Sequence, residues 1–283
     1  MLRYTLSLLL VALNGFAQET VNSLNYDYTS LYNAGATSLT RHEAGYNLQA
    51  GSFTYTAGIA AYTFDYDMAD TNFSTNRIKD ITTIKLGVAY TNAINTRWSA
   101  VANFTPQLTA TLKNTEIKDI YPGFFAGIKY KNETGTTALT MGVGYQGYFG
   151  KFRFMPIINY SGQLSTKLAF NVGIPATWLA YKFNDAHVLK AVAYADSFYS
   201  RIETGSATQY ETPTTIKISG LEMVTINTGL EYNYNAGKEW VGTFRTGSSV
   251  YNKLTIPGSG GYDLGFNKNI YISAGFKYNL NFK

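Results

Sequence analysis

Asn269-Ile270-Tyr271-Ile272-Ser273-Ala274-Gly275-Phe276-Lys277-Tyr278-Asn279-Leu280-Asn281-Phe282, one residue short of the last, governs how the whole chain is read. Ile270, Ile272, Ala274, Phe276, Tyr278, Leu280 and Phe282 fall on one face of an extended strand. Tyr271, Ser273, Gly275, Lys277, Asn279 and Asn281 fall on the other. Successive side chains of a strand point to opposite sides, so unbroken alternation over this length marks two faces in unlike solvents. A slip of one residue would put Lys277 on the apolar face, so the register is strongly specified.

The same rhythm recurs upstream. Ile84, Leu86, Val88 and Tyr90 alternate with Thr83, Lys85, Gly87 and Ala89, and Leu139, Met141, Val143 and Tyr145 alternate with Thr140, Gly142, Gly144 and Gln146. Such stretches run into tyrosine and then break into a polar turn at Tyr46, Tyr90, Tyr130, Tyr160, Tyr181 and Tyr232, and Tyr278 stands just before the end. A tyrosine near one end of every returning strand suits an interfacial girdle, because its ring favours lipid and its hydroxyl favours headgroup water. Seven such strands, each with a partner, predict about 14 in all. The first pair, around 22–32 and 40–50, carries the weakest pattern, and without it the count is 12.

Connections alternate in length. Short turns follow the tyrosines, whereas longer polar links span 67–80, 110–121, 201–214 and 253–268, with tight exceptions at 147–150 and 173–175. The reading is all-β: a closed antiparallel transmembrane β-barrel with short periplasmic turns and longer external loops.

Composition agrees. Aromatic residues make up 16% of the 283 residues and charged residues only 14%, against roughly 25% charged in soluble domains. Residues 1–17 have the form of a secretory signal peptide, with Arg3, an apolar run from Leu6 to Leu13, and Gly15-Phe16-Ala17 before Gln18. That leaves 18–283 as the barrel domain, placed in the cell outer membrane. The absence of cysteine excludes disulfides, thiolate metal sites and thiol nucleophiles.

Phe276, Tyr278, Leu280 and Phe282 resemble the C-terminal assembly signal of outer-membrane barrels, with Lys283 following where the aromatic residue is usually last. Through this segment and the strand-turn rhythm, the chain resembles an uncharacterised outer-membrane β-barrel family, a domain of unknown function common in Bacteroidota. The resemblance implies location, fold, and two partners, outer-membrane lipid and the barrel assembly machinery. It brings no catalytic motif.

No enzyme is expected. The two histidines, His42 and His187, stand at strand ends, and adjacent His42 and Glu43 point to opposite faces, which makes a poor dyad. No nucleophile elbow is present, the glycine-rich run at 257–261 lacks the lysine of a phosphate loop, and Asp65, Asp67 and Asp70 lack a calcium spacing. Neither metal nor cofactor is expected, and the net charge of +5 is too small to imply nucleic acid.

The polar faces carry more information. Lys85, Arg153, Lys167, Lys217 and Arg245 are placed as basic residues lining the lumen, together with Lys129, Lys182 and Lys277, each of which stands one residue from a girdle tyrosine and equally suits snorkelling to headgroups. Glu231 is the one acid that the same alternation places among them. A cationic lumen attracts anions. The expected function is therefore a passive channel or transporter for small polar or weakly anionic solutes. Inward aromatics such as Phe125, Trp178 and Tyr271 could plug it. The alternatives are a closed structural or surface-interaction barrel and, less favoured, a lipid-modifying enzyme.

Overall fold

The computed structural model describes residues 22–32, 37–66, 75, 78–112, 115–201, 220–257, 262–266 and 270–280. The signal-like segment, Lys217, Phe282, Asp67, Asp70 and most of the glycine-rich run lie outside them.

The strands are β1 (Ser23–Tyr32), β2 (Thr37–Ala50), β3 (Phe53–Tyr66), β4 (Asp80–Ala93), β5 (Trp98–Ala110), β6 (Ile120–Lys131) and β7 (Thr137–Gln146). They continue with β8 (Arg153–Gln163), β9 (Leu168–Gly173), β10 (Ala176–Lys182), β11 (His187–Arg201), β12 (Gly220–Ala236), β13 (Trp240–Ile256), β14 (Tyr262–Asp263) and β15 (Ile270–Asn279). Each strand from β1 to β13 pairs antiparallel with the next, and β15 pairs with both β13 and β1. The two-residue β14 pairs only with the far end of β13, so fourteen strands form a closed wall. The doubtful first pair is part of it: β1 meets β15 from Ser23↔Asn279 to Tyr32↔Ile270 and meets β2 from Ser23↔Asn47 to Leu31↔Leu39.

Closure is what lets such a sheet sit in lipid, because an open edge would leave backbone N–H and C=O groups without partners. Among the described residues no helix is long and apolar enough to cross a membrane; the strands do so. Their outward residues make an exposed apolar belt, including Ile59, Leu86, Phe104, Val143, Ile158 and Ile272. A belt of this kind, uncovered in water, is the lipid-facing surface of a transmembrane barrel.

The tyrosine rhythm marks one end of the barrel. The short turns that follow the tyrosines, such as Gly51-Ser52 with Gly51 at φ +59° and 237–239 with Gly237 at φ +77°, lie there, while the tight links after β7 and β9 lie at the other end. The loop end carries the longer connections between β3 and β4, β5 and β6, β11 and β12, and β13 and β15. β13 continues to Ile256, beyond the point where the alternation alone ends it. A bulge near Val250 pairs Ile226 with Tyr251 and Asn227 with Ser249. The extra residue resets the inward face, so that Leu254 and Ile256 are buried inside instead of facing lipid.

Glycines on the inner face seat large rings. Gly229 and Gly247 stand opposite each other, as do Gly127 and Gly142. A Cβ at Gly229 would run into the Tyr271 hydroxyl, and one at Gly127 or Gly142 into the Phe125 ring. Gly229→Val should therefore destabilise the barrel by about 1–3 kcal/mol through overpacking. The expected readout is a lower temperature for loss of the compact, fast-migrating band in unheated gel electrophoresis; an unchanged temperature would contradict this packing.

Candidate functional site

The interior divides into two halves of opposite character. At the loop end the inward side chains pack into an apolar plug. Phe64, Ile81, Phe198, Leu221, Met223 and Leu254 are all at most 1% exposed, and loop residues join them. Ile78 folds in before β4, and Leu264 and Phe266 fold in after β14. The Thr37 hydroxyl donates to the Leu264 carbonyl at 2.7 Å, and the Tyr66 hydroxyl to the Ile78 carbonyl at 2.8 Å. The walls also approach each other: Ser200 on β11 donates to the Thr109 carbonyl on β5 at 3.0 Å, although these strands are not neighbours in the ring. A smaller cluster of Val101, Phe125 and Ile157, with Tyr148 and Met155 against it, fills space beside β5, β6 and β8.

At the short-turn end lies a cavity of about 600 Å³. Tyr194 belongs both to the plug and to the cavity lining, and so separates them. One side of the cavity, from β9 to β11, presents Ala169, Ala176, Trp178, Ala180, Val188 and Val192; the other, from β12 through β15 to β2, presents Glu231, Asn233, Thr243, Arg245, Lys277, Asp27 and Glu43.

Register builds the charge where the two sides meet and on through the second. Lys190, Glu231 and Arg245 stand directly opposite one another on β11, β12 and β13. Lys190 Nζ donates to Glu231 Oε1 at 2.8 Å and Arg245 Nε to Glu231 Oε2 at 2.7 Å, while Asn233 Nδ2 donates to Oε1 at 2.8 Å. Arg245 also reaches Asp27 on β1, 3.7 Å away. Gly275 on the intervening β15 permits that approach, since a Cβ there would strike the Asp27 carboxylate. Deeper in, Arg41 pairs with Asp196 across the lumen and lies 3.4 Å from Glu43. Lys190 Nζ lies 5.7 Å from the centroid of the Trp178 ring.

More acids line this lumen than the single Glu231 expected from the sequence. Asp27, Glu43 and Asp196 join Glu231 inside and neutralise the deepest cations. Alternation along β1, β2 and β11 carried the signal that locates them, but β1 and β2 have the weakest pattern. Lys190 was missed with them and for the same want of a clear parse along β11.

Arg245 and Lys167 line the cavity, Lys167 from the β8–β9 turn. Lys85 lies on the inward face of β4, next to buried Thr83. Arg153 is exposed at the loop end, 3.4 Å from the Phe149 carbonyl. Lys182 lines the mouth but donates to Asp185 at 2.5 Å, and that bond holds the exposed carboxyl below the usual carboxylate range. Tyr46, Tyr90, Tyr130, Tyr160, Tyr181, Tyr232 and Tyr278 all fall on the outward face near the short turns. Ring neighbours include Phe53 at 4.9 Å from Tyr90, Trp98 at 4.9 Å from Tyr130 and Trp240 at 4.6 Å from Tyr278. Of the terminal segment, Phe276 faces outward and the Leu280 amide donates to the Asn22 carbonyl at 2.6 Å.

His42 and His187 face outward, and each hydrogen-bonds a tyrosine: Tyr26 at 2.7 Å and Tyr232 at 2.5 Å. Glu222, on the outward face of β12, accepts from the Lys151 amide at 2.9 Å, so the β7–β8 turn satisfies it.

Removing Glu231 strands two cations in a low-dielectric wall. Breaking a buried pair from one side costs about 3–5 kcal/mol, and Glu231→Ala should show a loss of this order in urea unfolding from lipid vesicles. A loss below about 1 kcal/mol would mean that water already screens the cluster.

Solved structures with a similar chain path include a Pseudomonas aeruginosa FadL homologue (TM-score 0.45, 11% identity, 92% of this chain and 90% of that one). Others are the NanC porin (TM-score 0.41, 8% identity, 92% and 100%) and LpxR from Salmonella typhimurium (TM-score 0.38, 9% identity, 91% and 100%). At these values the likenesses say nothing of activity. No curated protein matches the sequence. Residues 54–279 match the family model described as Domain of unknown function (DUF6268), and with most of its length matched the chain belongs to that family.

Proposed function

We propose that the protein is an outer-membrane barrel whose lumen is a closed-ended receptacle for small polar or weakly anionic solutes and not a standing pore. It would reach a Gram-negative outer membrane of the Bacteroidota kind through its signal-like leader and the assembly machinery, and it needs no cofactor. One observation carries the reading: the loop half of the lumen is filled by buried apolar side chains, while the short-turn half is hollow and charged. An apolar constriction bars ions because water does not wet it. With short turns on the periplasmic side, the hollow half opens to the periplasm. The enzymatic alternative draws no support from the histidines, whose bonding partners are tyrosines on the outer face.

Refolded protein in a planar bilayer under a salt gradient should show no steady conductance. The double variant Phe64→Ala/Phe266→Ala empties two rings from the plug, at a cost of about 3–5 kcal/mol for each truncation, and should open transiently. Steady ohmic current from the unaltered protein would overturn the closed reading in favour of a passive channel.

A further inference from the structure

We infer that the cavity at the short-turn end binds a small organic anion with a compact apolar body, such as an arylalkyl carboxylate, and not an inorganic ion or a sugar. The inference deepens the receptacle reading and rests on it only for the route by which the ligand arrives.

Three features of the cavity converge. The first is its two-sided lining. On the β9–β11 side Ala176, Trp178, Ala180 and Val192 form an apolar patch that suits a hydrocarbon or aromatic ring, with Thr177, Lys182 and Lys190 around it. The second is where the unpaired charge lies. Arg41, Lys190 and Arg245 are already matched by Asp196, Glu43, Glu231 and Asp27, and Lys182 by Asp185. Among the described residues, Lys167 and Lys277 line the cavity with no carboxylate within ion-pairing distance. The four carboxylates outnumber those three cations by one, so with Lys167 and Lys277 the charge left over is a net +1. The cations without a carboxylate are two ammonium groups, each strongly hydrated and suited to one carboxylate or phosphate oxygen. The third is size: about 600 Å³ falls in the range of small-molecule sites and admits a ring with a short chain.

The lining points to a pose. The apolar body lies along the β9–β11 side beside Trp178, and the anionic group meets Lys277 on β15, with Lys167 on the rim adding to the positive field. The paired cluster of Lys190, Glu231 and Arg245 forms a polar flank that contributes little net charge.

The test is equilibrium binding to the full barrel in detergent micelles, with Trp98→Phe and Trp240→Phe leaving Trp178 as the one tryptophan reporter. Titration with 4-phenylbutyrate should change Trp178 emission saturably. Its amine counterpart, 4-phenylbutylamine, and sodium acetate should each bind at least tenfold more weakly, one lacking the anion and the other the apolar body. Lys277→Gln should weaken 4-phenylbutyrate at least tenfold. If that variant fails to give the folded gel band, Lys167→Gln, an exposed turn position, should weaken it at least threefold. No saturable response in folded protein, equal response to amine and carboxylate, or unchanged affinity in both lysine variants would each overturn the proposal. Binding is read without a membrane potential, so the two readings fail separately. A conducting barrel that still binds 4-phenylbutyrate overturns only the closed receptacle, and a silent barrel that does not bind overturns only this site.

Discussion

Everything in this molecule depends on the closure of one hydrogen-bonded ladder. In lipid no water is available to satisfy a free strand edge, so the fourteen-stranded wall exists only if its ends meet. They meet where β15 is held between β13 and β1, through ten facing positions on the β1 side. That seam joins the two ends of the chain. It also brings Arg245, Gly275 and Asp27 side by side on three strands, which is how residues more than two hundred positions apart share a salt bridge.

Closure then assigns every second side chain to an interior, and a narrow interior must be filled or wetted. The protein does both, at different depths. Aromatic rings seated over paired glycines, together with loop residues folded inward, dry the loop half. Ion pairs set by register keep charge in the other half. Tyr194 stands at the boundary, with its ring edge toward Tyr271 and the Arg41–Asp196 pair close by. The apolar half is packed with side chains; the polar half is left hollow and charged.

Much of the wall was legible in the sequence because its physical cause is local. Alternation at Ile84 to Tyr90 or Ile270 to Tyr278 reflects lipid on one side and not on the other, and each strand reports it alone. The tyrosines marked where the returning strands end for the same reason. The bulge at Val250 was not legible, because an extra residue shows only against the partner strand that it interrupts. Nor were Asp27, Glu43 and Asp196, whose inward placement depends on strands with weak patterns and whose effect depends on which cations they face.

The sequence by itself determined the class of fold, a strand count of about 14 with the first pair left open, which end of the barrel carries the tyrosine-marked turns, and most outward-facing residues, since each follows from the contrast between lipid and water along a single strand. Only the tertiary structure decided that the loop half of the lumen is packed with apolar side chains, that its deep cations face carboxylates, and that, among the described residues, Lys167 and Lys277 have no carboxylate within ion-pairing distance. Those properties belong to pairs of residues brought together by closure and register across strands distant in the chain, and no single strand encodes them.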